Sequence, residues 1–358
     1  MKKLKAVICI LFIVFLVLST ADPVRLMHSA YNGLTLWAVR VFPSLFPFLF
    51  AARALLLLGA DTAVNRLLSP LLHLLGFPRR GAYPFLVSVL CGYPSGAKTL
   101  GDMYRDGQLS CEECSALAPL CHTSGPVFVL GYAAGVTGSD GGMLLLCHIG
   151  GVLCSCCILR VAALRKKPSA KQAMPNTCLP NTYPPPADSG GKCKKTVSAG
   201  TALGQACSSA VSSMLTVGGF IVFFCCVNAF VSEYIGKAGA LLEMTCGLSM
   251  QITPPQACFL LSFSGLCIIA QALSFLPEGI NKAGFILSRI LAGLLSYAFC
   301  AAAMLTSAAW AAAIICTVIV LSSALCAIWR TARGSSLPAR RCGPDNSPAP
   351  PAHRLHKP

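Results

Sequence analysis

Apolar residues in this chain fall into long runs, and several runs are interrupted by small, polar or helix-breaking residues. Residues 4–21 are apolar behind a basic start, a pattern shared by signal peptides and first membrane helices. Ser19-Thr20-Ala21 is a weak cleavage site, so a retained helix is expected. Residues 25–41 mix apolar residues with Arg25, His28 and Arg40, which predicts a helix lying in the membrane interface. Pro43 opens an apolar run through Ala60, long enough to span if Arg53 is sheltered or snorkels. Two shorter runs, 67–75 and 82–91, end at Gly76-Phe77-Pro78-Arg79-Arg80 and at Gly92-Tyr93-Pro94-Ser95-Gly96. Neither reaches the roughly 20 residues of a spanning helix, and together they predict a re-entrant hairpin, tolerated where protein or a wet cavity satisfies its backbone. Residues 102–113 read as an exposed polar link. Residues 114–136 read as a spanning helix broken at His122-Thr123-Ser124-Gly125-Pro126, and 141–159 as a further span. The Pro- and Lys-rich stretch 165–195 has the composition of a linker.

The second half repeats the plan. Residues 198–213 look interfacial and 214–231 span. Residues 235–249 are short and broken at Glu243-Met244-Thr245-Cys246-Gly247, and 256–276 are broken at Ser262-Phe263-Ser264-Gly265. Residues 285–305 and 309–329 span, and the tail is basic, Pro-rich and expected to be disordered. The fold class is therefore all-α: a polytopic membrane protein of about eight spanning helices, with re-entrant and broken helices in two inverted repeats. The expected divisions are an N-terminal helix (1–24), a first repeat (25–164), a linker (165–197), a second repeat (198–305), a last helix (306–330) and a tail (331–358). With the N-terminus inside, the linker and tail also fall inside, and the halves run antiparallel. Paired interrupted segments in inverted halves are the sequence pointer to a secondary transporter's binding site.

Composition supports the membrane reading. Of 358 residues, 55% are hydrophobic and 11% charged, and mean hydropathy is +0.69. A typical soluble domain carries about 25% charged residues, so a soluble enzyme, a disordered chain and a coiled coil are excluded. Seventeen basic residues and two acids lie in the N-terminus, in residues 160–195 and in residues 330–358, so these flanks hold nearly all of the net charge of +16. That distribution is a positive-inside signal. Nucleic acid is not an expected partner, because no basic face is interleaved with aromatics. The 21 cysteines sit mostly in apolar runs and read as small apolar residues. Cys111-Glu112-Glu113-Cys114 with Cys121-His122 offers four soft ligands, but no second such pair follows, and no metal is expected. The chain lacks HExxH, GxxxxGK[ST] and GxSxG motifs, so no enzyme activity and no cofactor are expected. A coupling Na⁺ or H⁺ is left open, as is a homo-oligomer. The expected partners are the lipid bilayer and a small-molecule solute.

Candidate chemistry concentrates at the breaks. A helix restarting after a Gly/Ser break presents free N–H groups and a dipole that attract anions. Gly92, Ser95, Gly96, Thr123, Ser124, Gly125, Ser264 and Gly265 supply such breaks in both halves, and Lys98 adds a cation beside the first. Glu243 is a carboxylate at membrane depth, a functional candidate by cost, with Thr245 beside it. Lys98 and Arg289 are its candidate partners. Gln271 is placed to line the same cavity, and Tyr93 to stack on an aromatic ligand.

The segments CGYPSGAKTLGDMYRDGQLS (91–110), HTSGPVFVLG (122–131), LLEMTCGL (241–248) and SFSGLCIIAQALSFL (262–276) resemble the YlbJ family of sporulation integral membrane proteins. That family is grouped with nucleoside-recognition, or Gate-domain, proteins similar to concentrative nucleoside transporters. The resemblance covers roughly 30–160 and 205–305. It implies a role in spore maturation in the mother-cell membrane around the forespore, with movement of dipicolinate toward the spore. A nucleoside-type transporter and a non-transporting scaffold for the spore envelope are the alternatives. His122 stands where the family's motif reads Asn-Thr-Ser-Gly-Pro.

Overall fold

The computed structural model describes residues 2–165, 198–248, 250, 252–306, 312, 315–320 and 324. The linker and tail, and most of the expected helix at 309–329, lie outside the described residues. Within them the secondary structure is helical.

Helix α1 (Lys2–Ala21) is the expected first apolar helix. Asp22 caps the next helix, its carboxylate accepting from Arg25 N at 3.0 Å, and Pro23 occupies the first turn, where its missing N–H costs nothing. This helix, α2, runs unbroken from Pro23 to Leu57. The expected interfacial segment and the following span are thus one helix. Its wide π-turn at Trp37–Val41 immediately precedes Pro43 and Pro47, and such a turn absorbs the ring clash and lost hydrogen bond that would otherwise break the helix. Likewise 198–213 and 214–231 merge into α9 (Ala199–Ile235). No proline or charged residue separates them, and the buried positions Ala202, Ala206, Ala210, Met214, Val217 and Ile221 form one continuous helical stripe.

Between these long helices lie α3 (Ala60–Leu74), α4 (Ala82–Cys91), α5 (Ser95–Arg105), α6 (Cys111–Leu117), α7 (Phe128–Thr137) and α8 (Gly141–Arg165). The chain breaks at Gly92-Tyr93-Pro94, as the sequence predicts, but the hairpin around that break pairs α4 with α5 and not the expected runs 67–75 and 82–91. Its second arm extends to Arg105, which shortens the polar link to 106–110. After α9 come α10 (Met244–Leu248), α11 (Pro254–Phe263), α12 (Gly265–Phe275) and α13 (Lys282–Leu305). Among the described residues, five segments are long and apolar enough to cross a membrane: Pro23–Leu57, Gly141–Ala162, Ala199–Tyr234, Pro254–Phe275 and Lys282–Leu305. The difference from eight lies in α1, whose apolar part (Ala6–Ala21) is short, in the broken 111–137 segment, and in 309–329.

The long helices of the two halves pack in pairs. Helix α2 lies against α9, and α8 against α13. Glycine permits the first contact: a Cβ on Gly33 would lie 2.9 Å from the Val222 backbone, and one on Gly218 would lie 2.8 Å from the Trp37 ring. Trp37 Nε1 donates to Met214 O at 3.0 Å. Leu45, Leu49, Met214, Val217, Cys267 and Phe275 fill the space where α2, α9 and α12 meet.

Helix α6 starts on a reciprocal capping box. Glu113 N donates to Ser110 Oγ at 3.2 Å and Ser110 N donates to Glu113 Oε2 at 2.9 Å. Ser110→Ala is expected to cost about 1 kcal/mol, seen as a small drop in thermal midpoint in detergent, with Ser110→Asp close to the parent.

Candidate functional site

Two breaks of the first half meet face to face. Gly92 ends α4 with φ +80°, and a Cβ there would stand 2.5 Å from Gly125 N. Only glycine allows the two backbones this close. Thr123 joins them: its N–H donates to Ser88 Oγ at 3.1 Å, its hydroxyl donates to Ser88 O at 2.8 Å, and the two hydroxyls lie 3.0 Å apart. Gly96 packs against Cys121 O and Ser88. The second half makes the corresponding contact. Ser264 and Gly265 both take positive φ (71° and 74°), and Gly265 lies against the backbone of 241–244. Cys267 N donates to Leu242 O at 2.9 Å, so a carbonyl from the neighbouring segment satisfies an early N–H of α12.

The halves are joined through two imidazoles. His148, fully buried on α8, accepts from Ser124 N at Nε2 (2.8 Å). A backbone N–H can only donate, so the neutral ring carries its proton on Nδ1. Nδ1 donates to Ser262 Oγ on α11 at 2.7 Å. The Ser262 and Ser296 hydroxyls are 2.6 Å apart, and Ser296 closes the ring on His148 O at 3.5 Å. The second imidazole, His122, lies 2.9 Å from Ser264 Oγ through Nε2. Ser264 gives its own proton to Phe263 O at 2.5 Å, so Nε2 is the donor and Nδ1 is left as an acceptor. Tyr93 stacks on the His122 ring with centroids 5.1 Å apart, and its hydroxyl reaches Met244 Sδ at 2.7 Å.

Arg289 on α13 is fully buried. Its guanidinium donates to Pro119 O (2.5 Å), His122 O (2.6 Å) and Ser288 Oγ (3.2 Å). Among the described residues no carboxylate forms an ion pair with it. It therefore carries an uncompensated charge where charges are normally paired. At the break whose His122 carbonyl it holds, His122 Nδ1 is buried and lacks any hydrogen-bond partner, as does Ser95 Oγ at the start of α5. An orphaned buried polar atom costs about 1–3 kcal/mol.

The sequence-predicted residues divide accordingly. Gly92, Tyr93, Gly96, His122, Thr123, Ser124, Gly125, Ser264 and Gly265 come together at the breaks, and Ser95 opens α5 there. Lys98 points elsewhere: it pairs with Asp102 at 2.6 Å and reaches Ser209 Oγ on α9 at 3.0 Å. Glu243 pairs with neither Lys98 nor Arg289. It is buried and caps α10, its Oε2 accepting from Cys246 N at 2.6 Å. Thr245 is half-buried in the first turn of α10, and Gln271 bonds to Cys267 Sγ, one turn back on its own helix, at 3.2 Å. Among the described residues no His, Cys, Asp or Glu cluster is arranged to hold a metal. The residues that sequence reasoning passed over are Ser88, His148 and Ser296. A lone ionisable residue inside an apolar span was the available signal for His148.

No protein-family model matches the chain, and no solved structure resembles it closely enough to report. Among characterised proteins it is similar to the sporulation integral membrane protein YlbJ of Bacillus subtilis, with 26% identity over 348 residues. The alignment covers 84% of this chain and 83% of that one, and so takes in both halves and every break described above. The helical membrane architecture accords with that relative's description as an integral membrane protein, and the similarity runs along most of both chains.

Proposed function

We propose that this chain is a carrier rather than an enzyme, moving a small organic anion across the membrane by alternating access around the paired breaks. The observation that carries this reading is the fully buried Arg289, without an acid partner, beside a break whose Ser95 Oγ and His122 Nδ1 are unsatisfied. A carboxylate entering there would neutralise the guanidinium and accept from the Ser95 hydroxyl. Arg suits this task, because its fork can engage a carboxylate through two N–H groups. His122 Nδ1 is an acceptor in the neutral ring and becomes a donor when protonated. Anion binding at that position therefore takes up a proton, which favours H⁺ over Na⁺ as the coupling ion. Tyr93, already stacked on His122, offers a face to a flat ring.

The relative's name supports a role in sporulation, and dipicolinate, a flat aromatic dicarboxylate, is the proposed solute, carried toward the forespore from the mother cell. The basic flanks support cytoplasmic termini by the positive-inside rule. The test is uptake of labelled dipicolinate and of a labelled nucleoside into proteoliposomes, under Na⁺ or pH gradients. Dipicolinate should accumulate when the substrate side is acidic, and the Na⁺ gradient should add nothing. Uptake of nucleoside alone would replace the substrate, and uptake of neither would remove the carrier reading.

A further inference from the structure

A cleft of about 340 Å³ opens between α2, α5 and α9, away from the breaks, with Phe275 of α12 at its edge. It is lined by Arg53, Lys98, Asp102, Arg105, Ser209 and Ser213. The Asp102 carboxylate is its centre. One oxygen takes Lys98 Nζ at 2.6 Å and the Arg105 guanidinium, and the other lies 3.8 Å from Arg53 Nε. Arg53 also holds Asp106 at 2.9 Å. Three cations thus share two carboxylates, leaving one positive charge in a partly sheltered cleft. Two α9 hydroxyls add polar contacts, with Ser209 bonded to Lys98 Nζ at 3.0 Å.

We infer that this cleft is an outer anion site, in which an incoming carboxylate takes the cations now held by Asp102. The inference rests on the anion-carrier reading and extends it by giving the solute a way in. Lys98, Asp102 and Arg105 lie along α5, about 4.5, 10 and 15 Å from Ser95 by helix rise. The row of charges runs from the half-exposed Arg105 toward the helix start where the Ser95 hydroxyl has no partner. The volume falls in the range of small-molecule sites. Asp102 has two consequences: it keeps the cations assembled without ligand, and it competes with the ligand. A site on a transport path must release as well as bind, and a tethered competing carboxylate achieves that.

The competition gives predictions of opposite sign. Dipicolinate should raise the thermal midpoint of the full-length protein in detergent at low salt, with a concentration dependence that yields its affinity. Asp102→Asn should tighten that affinity about five- to tenfold by removing the competitor. Arg105→Gln, at a half-exposed position with little structural cost, should weaken it about two- to fivefold. Both shifts should shrink in high salt, and neutral 2,6-pyridinedimethanol should have no effect. Unchanged affinity in both variants, weaker binding in Asp102→Asn, or no stabilisation of the parent by dipicolinate would each overturn the outer site. If Asp102→Asn does not fold, an unchanged affinity in Arg105→Gln overturns it alone. Vesicle uptake separates the two proposals. Opposite affinity shifts without any uptake retain the outer site and remove the carrier, whereas uptake with no affinity shift does the reverse.

Discussion

Gly92→Ala is expected to destabilise the protein by several kcal/mol, more than an exchange on the lipid-facing surface. Two costs combine. Gly92 has φ +80° and ψ −177°, a region that side chains rarely enter, at about 1–3 kcal/mol. The new Cβ would also stand 2.5 Å from Gly125 N and 3.0 Å from Gly125 Cα. Both are backbone atoms, so no side chain can swing away, and overpacking of this kind adds about 1–3 kcal/mol. Gly59→Ala isolates the first cost. Gly59 also has positive φ (87°) but nothing within 4 Å of its Cβ position, so about 1 kcal/mol is expected there. Thermal midpoints in detergent, with membrane accumulation as a second measure, should fall far more for Gly92→Ala than for Gly59→Ala. Equal losses would mean that backbone conformation alone sets the cost and that the contact between the two breaks contributes little.

That contact joins residues far apart in the chain, yet both of its glycines could be found in the sequence. Gly, Ser and Pro inside an apolar run announce a broken helix through local backbone chemistry, and the structure breaks at 92–94, 118–125 and 264. Helix continuity was harder to read. Pro43 looks like a terminator, but the π-turn before it lets α2 continue, and the mild polarity of 198–213 hid a stripe of small residues that packs on α2. Side-chain destinations were harder still. Lys98 lies one turn along α5 from Ser95, on the same face, but its long side chain runs on to Asp102 and across to Ser209 of α9 instead of turning back to the break. Glu243 reads as a costly buried charge, but a backbone N–H three residues ahead satisfies it locally. The His148–Ser262 bond spans 114 residues, and a single histidine or serine hardly alters the hydropathy of its run. Such pairings depend on how helices register against one another, which no local pattern encodes.

Arg289 is expected to matter greatly for transport and little for stability, and this opposition distinguishes a ligand-holding charge from a structural one. Burying a guanidinium costs several kcal/mol. Its two carbonyl bonds, to Pro119 O and His122 O, return about 1.5–3 kcal/mol each. Arg289→Met removes both terms and fills a similar volume but leaves the Pro119 and His122 carbonyls without a partner, at about 1–3 kcal/mol each, which the removal of the buried charge largely offsets, so its thermal midpoint should fall only modestly. Dipicolinate uptake per folded molecule should nevertheless fall about 30- to 1,000-fold, the effect of removing one partner from a buried charge pair. Arg289→Lys keeps the charge but loses the two-pronged fork, and an intermediate loss of about tenfold is expected. A large fall in midpoint for Arg289→Met, with normal uptake by the fraction that folds, would make Arg289 a brace for the 119–122 carbonyls. The buried charge would then owe its position to the fold, and the anion would have to be held by other groups.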